Sequence, residues 1–219
     1  MLWLILITLP VQLTKQSQPK DLWLFLVFVL FILLELLDLE IFTVRGIVMS
    51  EIILDLETTG VKPSLHHRVL SIGAIRIDDK YDIMEKFYTE MRPVGRCVYD
   101  PKALEINGFT REQISALPNS CAAMKSFTEW LAEDWVTMIG WNVQFDWRFL
   151  DQEYDLLSMP TPFSFKICDL HSIMYDWTGT SHTLSSARAY FGLEDNRGVH
   201  NALEDAEITL ELYRKIKGV

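Results

Sequence analysis

Cysteine is scarce in this chain: three in 219 residues, at Cys97, Cys121 and Cys168, with no CxxC pair and no cysteine–histidine cluster. That spacing excludes a disulfide-stapled scaffold and a thiolate zinc site, and it predicts reduced core thiols in a cytosolic domain. Positive charge is short as well, with 20 Lys and Arg against 30 Asp and Glu and a formal net charge of −10. A protein that coats long nucleic acid through its phosphates needs a large basic surface, so that class is excluded; a small phosphate-handling site is not. Internal repeats are absent, and no low-complexity linker follows residue 50.

Apolar residues, by contrast, crowd one end. Residues 1–49 hold 32 of them, mostly in two runs, "MLWLILITLPVQL" and "LWLFLVFVLFILLELL", separated by the polar "TKQSQPKD". The first run has the length of a signal peptide but neither its basic start nor its small-residue cleavage site. The second, Leu22 to Leu37, includes Glu35 and at 16 residues falls short of what a spanning helix needs, about 20 apolar residues. Three readings compete: an upstream translation before a start at Met49, a membrane anchor made of one short span or a hairpin, and a buried soluble helix. Lys15 and Lys20 precede the second run and Arg45 follows it, so a single span would weakly place the rest outside the cytoplasm. The expectation is a hydrophobic extension over 1–48 and a domain over 49–219. The domain is cytoplasmic, or membrane-anchored where the extension is present.

From Ser50 onward 17 basic residues face 26 acidic ones, a charge of −9. Strand-like runs at 51–56, 69–77 ("VLSIGAIRI") and about 83–91 suggest an antiparallel meander. The period then changes. "NSCAAMKSFTEWLAE", 119–133, has apolar residues at helical spacing behind a cap at Asn119. A short strand at 136–140 runs into a helix beginning near Asn142, "FKICDL" reads as another strand, and helices follow near 170–177, 183–191 and 201–217. Three strands followed by alternating strands and helices predict an α/β fold, a mixed central sheet flanked by helices.

The stretch "IILDLETTG", 52–60, ends a buried strand with Asp55 and Glu57, which share one face because side chains two apart in a strand point the same way. Taken alone, such a pair is most simply solvated at a strand end. Two more acids change the balance. In "HNALEDAEITLELYRKI" a helical wheel puts Asp205 between Leu212 and Ile216 on the apolar side, with Glu204, Glu207, Glu211, Arg214 and Lys215 opposite. An acid buried there is costly unless something pairs with it. Asp146, in "GWNVQFDWRFL", falls between Phe149 and Leu150 in the same way, although Arg148 or a cap could satisfy it.

Four inward carboxylates with no interleaved Lys or Arg need counter-charge, and hard oxygen ligands select Mg²⁺ or Mn²⁺ over Zn²⁺. Two such ions would balance the four acids, which is the arrangement used for phosphoryl transfer. His200, five residues before Asp205 and just after the glycine-containing "EDNRGV", is the candidate general base, since its ordinary pKa lies near neutrality. A lone histidine at a helix start otherwise reads as a cap or a surface group.

Together these residues resemble the DEDDh family of 3′-to-5′ exonucleases, the group that includes the epsilon subunit of bacterial DNA polymerase III, ribonuclease T and oligoribonuclease. "LDLETTG" is similar to the first motif, "GWNVQFDWRFL" to the second and "HNALEDAEIT" to the third, and "YDPKALEINGFTREQI" and "HTLSSARAYFGLE" resemble the connecting segments. The resemblance, over about 51–215, implies a ribonuclease H-like fold. It implies that Asp55, Glu57, Asp146 and Asp205 hold two divalent cations, Mg²⁺ or Mn²⁺. Nucleoside 5′-monophosphates would then be released from the 3′ end of single-stranded DNA or RNA, with DNA favoured and a DNA polymerase as partner. By the same resemblance, Leu56, Thr58 and Thr59 contact the terminal nucleotide. Trp141, which stands where relatives often have histidine, and Phe145 are base-stacking candidates against a plainer role in core packing. Alternatives are an exoribonuclease on short RNA and an inactive polymerase-docking or nucleic-acid-binding module.

Overall fold

In the computed structural model of the chain, which describes residues 51–132, 136–193 and 200–219, the meander is present: β1 (Glu51–Thr58), β2 (Val69–Ile77) and β3 (Ile83–Glu90) pair antiparallel. β1 also pairs in parallel with β4 (Val136–Gly140), and β4 with β5 (Phe163–Asp169). The sheet therefore runs β3-β2-β1-β4-β5, mixed as expected, with β1 at its centre. The expectations for residues 1–48, and for the glycine-containing segment 194–199, lie outside the described residues. Among the described residues no helix is long and apolar enough to cross a membrane.

Seven α-helices are described: α1 (Pro101–Asn107), α2 (Arg111–Ala116), α3 (Ser120–Leu131), α4 (Val143–Leu156), α5 (Leu170–Thr178), α6 (Leu184–Tyr190) and α7 (Ala202–Lys217). The Asn119 side chain caps α3 by accepting from the Ala122 N–H, as the sequence predicts. Helices α1 and α2 lie in a stretch where the sequence pattern predicts only connecting segments. They are short and bury one residue each, Asn107 and Ile114, so they carry no apolar stripe. Their start signals are nonetheless in the sequence. Asp100 caps α1 ahead of Pro101, and Thr110 with Gln113 forms a reciprocal capping box on α2.

Strand alternation divides the core into two layers. Ile52, Leu54 and Leu56 face Met124 and Phe127 of α3 and Phe149 and Leu150 of α4. Ile53, Ile75 and Ile77 face Ala206, Leu210 and Tyr213 of α7. Each large side chain so buried contributes about 1.5–3 kcal/mol. On the first side, Arg68 at the head of β2 is almost fully buried. It donates from Nε and Nη2 to the two carboxylate oxygens of Glu153 in α4, both at 2.6 Å, and from Nη1 to the Val94 carbonyl, also at 2.6 Å. The ion pair ties β2 to α4 with its polar groups satisfied.

The cysteine expectation needs a correction. All three thiols are free as expected, but none is fully buried: Cys168 packs half-buried against the core layer under α7, and Cys121 is exposed. Helix α3 buries Ser120, Ala123, Met124, Phe127 and Leu131, a stripe at helical spacing that leaves Cys121 on the solvent side.

Candidate active site

Because Ile53 points toward α7, Asp55 and Glu57 point the same way, two and four residues on. Strand register continues this face across the sheet. Asp55 pairs with Gly73, which pairs with Tyr88; Glu57 pairs with Ser71, which pairs with Glu90. The missing side chain in the first row matters: a Cβ on Gly73 would lie 2.2 Å from the Ala202 carbonyl carbon and 2.3 Å from the Leu203 nitrogen. Glycine there lets the first turn of α7 rest directly on the sheet.

That contact delivers the third motif. Ligand atoms of Glu57, His200 and Asp205 all lie within 4.8 Å of one another, and the His200 Nδ1 is 3.0 Å from the Asp205 Oδ2. Glu57 and Asp205 are buried, while the His200 side chain is 48% exposed. The His200 N–H donates to the Ile106 carbonyl at 3.4 Å, which ties the start of α7 to α1. β1 loses regular pairing with β2 between Glu57 and Thr58, at the point where the acids end and the chain turns away.

Asp146 arrives from the opposite layer, in the first turn of α4, and is 3% exposed. Burial holds its carboxyl well above the usual carboxylate range, and the charges of Glu57 and Asp169 push it the same way, against hydrogen bonds from its own N–H and that of Leu56. The Leu56 N–H therefore links Asp146 to the strand residue between Asp55 and Glu57. Asp169, at the end of β5, was not singled out from the sequence. Its Oδ1 accepts from the Asn142 N–H at 2.8 Å, and Asn142 is left-handed at φ 57° just before α4. Thus Asp169 fixes the turn that aims Asp146; the signal available in the sequence was its place at a strand end.

A cavity of about 540 Å³ opens beside Glu57 and His200. Tyr88, Glu90 and Asn201 form one wall, and Asn107, Phe109 and Leu117 from α1, α2 and their flanks form another. None of the five nucleotide-contact candidates is among its lining residues. Leu56 is buried in the first core layer. Thr58 Oγ1 donates to the Gly60 carbonyl, and Thr59 Oγ1 donates to the Val98 carbonyl while accepting from the Arg68 N–H. Trp141 packs edge-on to His171, and Phe145 lies 4.8 Å from Phe149, ring centre to ring centre. Both aromatics pack against neighbours on one side and are half-buried.

The sequence profile of the exonuclease family matches residues 52–213, the segment that carries all three motifs. The chain belongs to the DEDDh-type 3′-to-5′ exonuclease family. This exonuclease is 31% identical over 185 residues to the DNA polymerase III subunit epsilon of Rickettsia typhi, covering 78% of this chain and 75% of that protein. It is 29% identical over 173 residues to the 3′-5′ DNA exonuclease Cap18 of Escherichia coli, covering 74% and 88%. The fold matches exonuclease I with a TM-score of 0.68 at 22% identity, over 77% of this chain and 41% of that one. The exonuclease thus spans about two fifths of that enzyme. It also matches the nuclease domain of 3′hExo, a DEDDh family member solved with rAMP bound, with a TM-score of 0.65 at 14% identity, over 78% and 92% of the two chains. These likenesses establish a ribonuclease H-like fold, and the reading as an inactive docking module gives way to an enzyme. The family uses divalent metal ions, and the buried oxygen donors here, without a cysteine among them, suit a hard cation.

Proposed function

We propose that this exonuclease removes nucleoside 5′-monophosphates one at a time from the 3′ end of single-stranded DNA. The observation that carries the reading is the convergence of Glu57, Asp205 and His200 within 4.8 Å at the mouth of a cavity of nucleotide size. Its volume of about 540 Å³ falls within the ~300–1,000 Å³ of small-ligand sites. That is room for one nucleotide unit and not for a duplex.

Asp55, Glu57, Asp146 and Asp205 would hold two divalent cations, Mg²⁺ or Mn²⁺, which when bound supply Lewis acidity and charge neutralisation at the scissile phosphate. His200 is held by its Nδ1 at Asp205, an arrangement that in the neutral imidazole leaves the lone pair on Nε2. That nitrogen takes the proton of the attacking water. Water adds to phosphorus, the P–O3′ bond breaks, and the leaving oxygen takes a proton from solvent to become the new 3′ hydroxyl of the shortened strand, while His200 returns its proton to solvent. Asp205 stabilises the imidazolium that forms, and Phe109 with Leu117 offers an apolar wall to the terminal base.

The relatives named as polymerase subunits and as a DNA exonuclease favour deoxyribose as the substrate sugar. A net charge of −10 gives the chain little hold on long strands, so a DNA polymerase partner delivers them, in the cytoplasm, to a catalytic unit running from residue 49 to 219. The test is digestion of 5′-labelled and 3′-labelled DNA and RNA oligomers with Mg²⁺, Mn²⁺ or EDTA. Metal-dependent shortening from the 3′ end is expected, faster on DNA, abolished in Asp55→Ala and slowed about 10²–10⁴-fold in His200→Ala. Faster digestion of RNA would assign the enzyme to short RNA instead, and release of label first from the 5′ end would overturn the polarity.

A further inference from the structure

Tyr88 stands on the edge strand, in the same cross-strand row as Asp55 and Gly73, and faces the cavity with Glu57 and His200. Its hydroxyl donates to Glu90 Oε1 at 2.7 Å and accepts from Asn201 Nδ2 at 3.3 Å. Asn201 is the cap of α7. Its Oδ1 accepts from the Leu203 N–H at 3.0 Å and the Glu204 N–H at 3.3 Å, one residue after His200 and one turn before Asp205 completes the site.

The directions in this chain follow from the donors and acceptors present. An ionised Glu90 can only accept, so the single Tyr88 proton goes to it. Burial, with Glu90 beside it, raises the Tyr88 pKa and keeps that proton in place. The phenol oxygen is then left as an acceptor, with the Ser71 hydroxyl beside it, and the NH₂ end of the Asn201 amide meets it at 3.3 Å. The amide oxygen is thereby turned toward the two N–H groups of the helix. An asparagine without this tie can rotate, and a rotated amide would present NH₂ to the helix amides and lose the cap.

We propose that Tyr88 is a positioning residue: by orienting the Asn201 amide it fixes the first turn of α7, and with it His200 and Asp205. The role rests on the exonuclease reading for its effect on rate, but the tie itself exists in the metal-free protein and can be measured there. A serine at 201 would keep a capping oxygen without needing Tyr88 to orient it.

The experiment compares Tyr88→Phe, Asn201→Ser and the double variant in the full chain, by steady-state cleavage of a 5′-labelled DNA oligomer with Mn²⁺ and by amide hydrogen exchange without metal. Tyr88→Phe should lower kcat about fivefold to tenfold, keep KM within about twofold, and speed exchange of the Leu203 and Glu204 amides about fivefold. Adding Tyr88→Phe to Asn201→Ser should change kcat by less than about twofold, because the tie is already gone. Unchanged exchange at both amides overturns the proposal. So does a raised KM at constant kcat, which would make Tyr88 a substrate contact, or a full further loss in the double variant. Should the wild-type chain cleave no strand, the exonuclease reading fails, and the exchange result alone decides the tie.

Discussion

Gly73→Ala is the smallest change that should separate the two halves of the proposed catalytic site. An alanine Cβ would sit 2.2 Å from the Ala202 carbonyl carbon, whereas ordinary contact begins at 3.4 Å, so strand and helix must part by about 1.2 Å. The atoms it would meet, the Ala202 carbonyl carbon and oxygen and the Leu203 nitrogen, are all backbone, which cannot swing aside as a side-chain tip could. Overpacking of this kind costs about 1–3 kcal/mol of stability, and about 2–4 °C of Tm per kcal/mol is expected for a domain of this size. The effect on rate is larger. Asp205 sits on α7 with His200 just ahead of its cap, while Asp55 and Glu57 sit on β1, so the displacement would open the gap between the two proposed ligand sets. A misplacement near 1 Å costs on the order of 10²-fold in rate. The assay is kcat/KM on a single-stranded DNA oligomer with saturating Mn²⁺, beside a thermal melt that confirms a folded protein. A folded Gly73→Ala protein with kcat/KM within about threefold of wild type would refute the reasoning, because it would mean that the helix is placed by something other than this contact.

Other consequences can be measured independently. Asp146 keeps its proton in the native state to a higher pH than in the unfolded chain, because burial raises its pKa, so the metal-free protein loses stability as pH climbs through that raised value. Asp146→Asn should remove the loss, giving in EDTA a Tm that falls less than wild type between about pH 5 and about pH 8. Cleavage by the same variant should drop at least ~100-fold, and equal pH slopes for the two proteins would contradict the assignment. Arg68→Met strands the Glu153 carboxylate in the core and should cost about 3–5 kcal/mol in urea unfolding, whereas Arg68→Met with Glu153→Leu should recover most of it. A double variant as unstable as the single one would show that the pair is needed for more than mutual compensation.

Much of the site was legible because it depends on local periods. Strand alternation alone puts Asp55 and Glu57 on one face, and the helical wheel alone puts Asp205 and Asp146 among apolar neighbours; the structure finds three of these four acids buried and Asp55 half-buried. The strand order of the meander was equally local. Helices α1 and α2 were missed because their stripes are too short for periodicity to register, although Asp100 before Pro101 and the Thr110–Gln113 box were there to be read. Whether Trp141 and Phe145 meet a nucleotide was not legible for a different reason. An aromatic beside a motif looks the same in sequence whether it faces a cavity or a core.

Periodicity along the chain is enough to say which carboxylates turn toward apolar neighbours and that a histidine precedes the last of them. Tertiary structure decided what lies next to what. Gly73 is one glycine in a strand until α7 is seen resting on it, Asp169 one acid until it holds Asn142, and Tyr88 one exposed aromatic until its hydroxyl meets Asn201. The reason is physical. Side-chain direction follows from backbone geometry within a few residues, whereas partners 27, 113 and about 130 positions apart are chosen only when the sheet and helices pack.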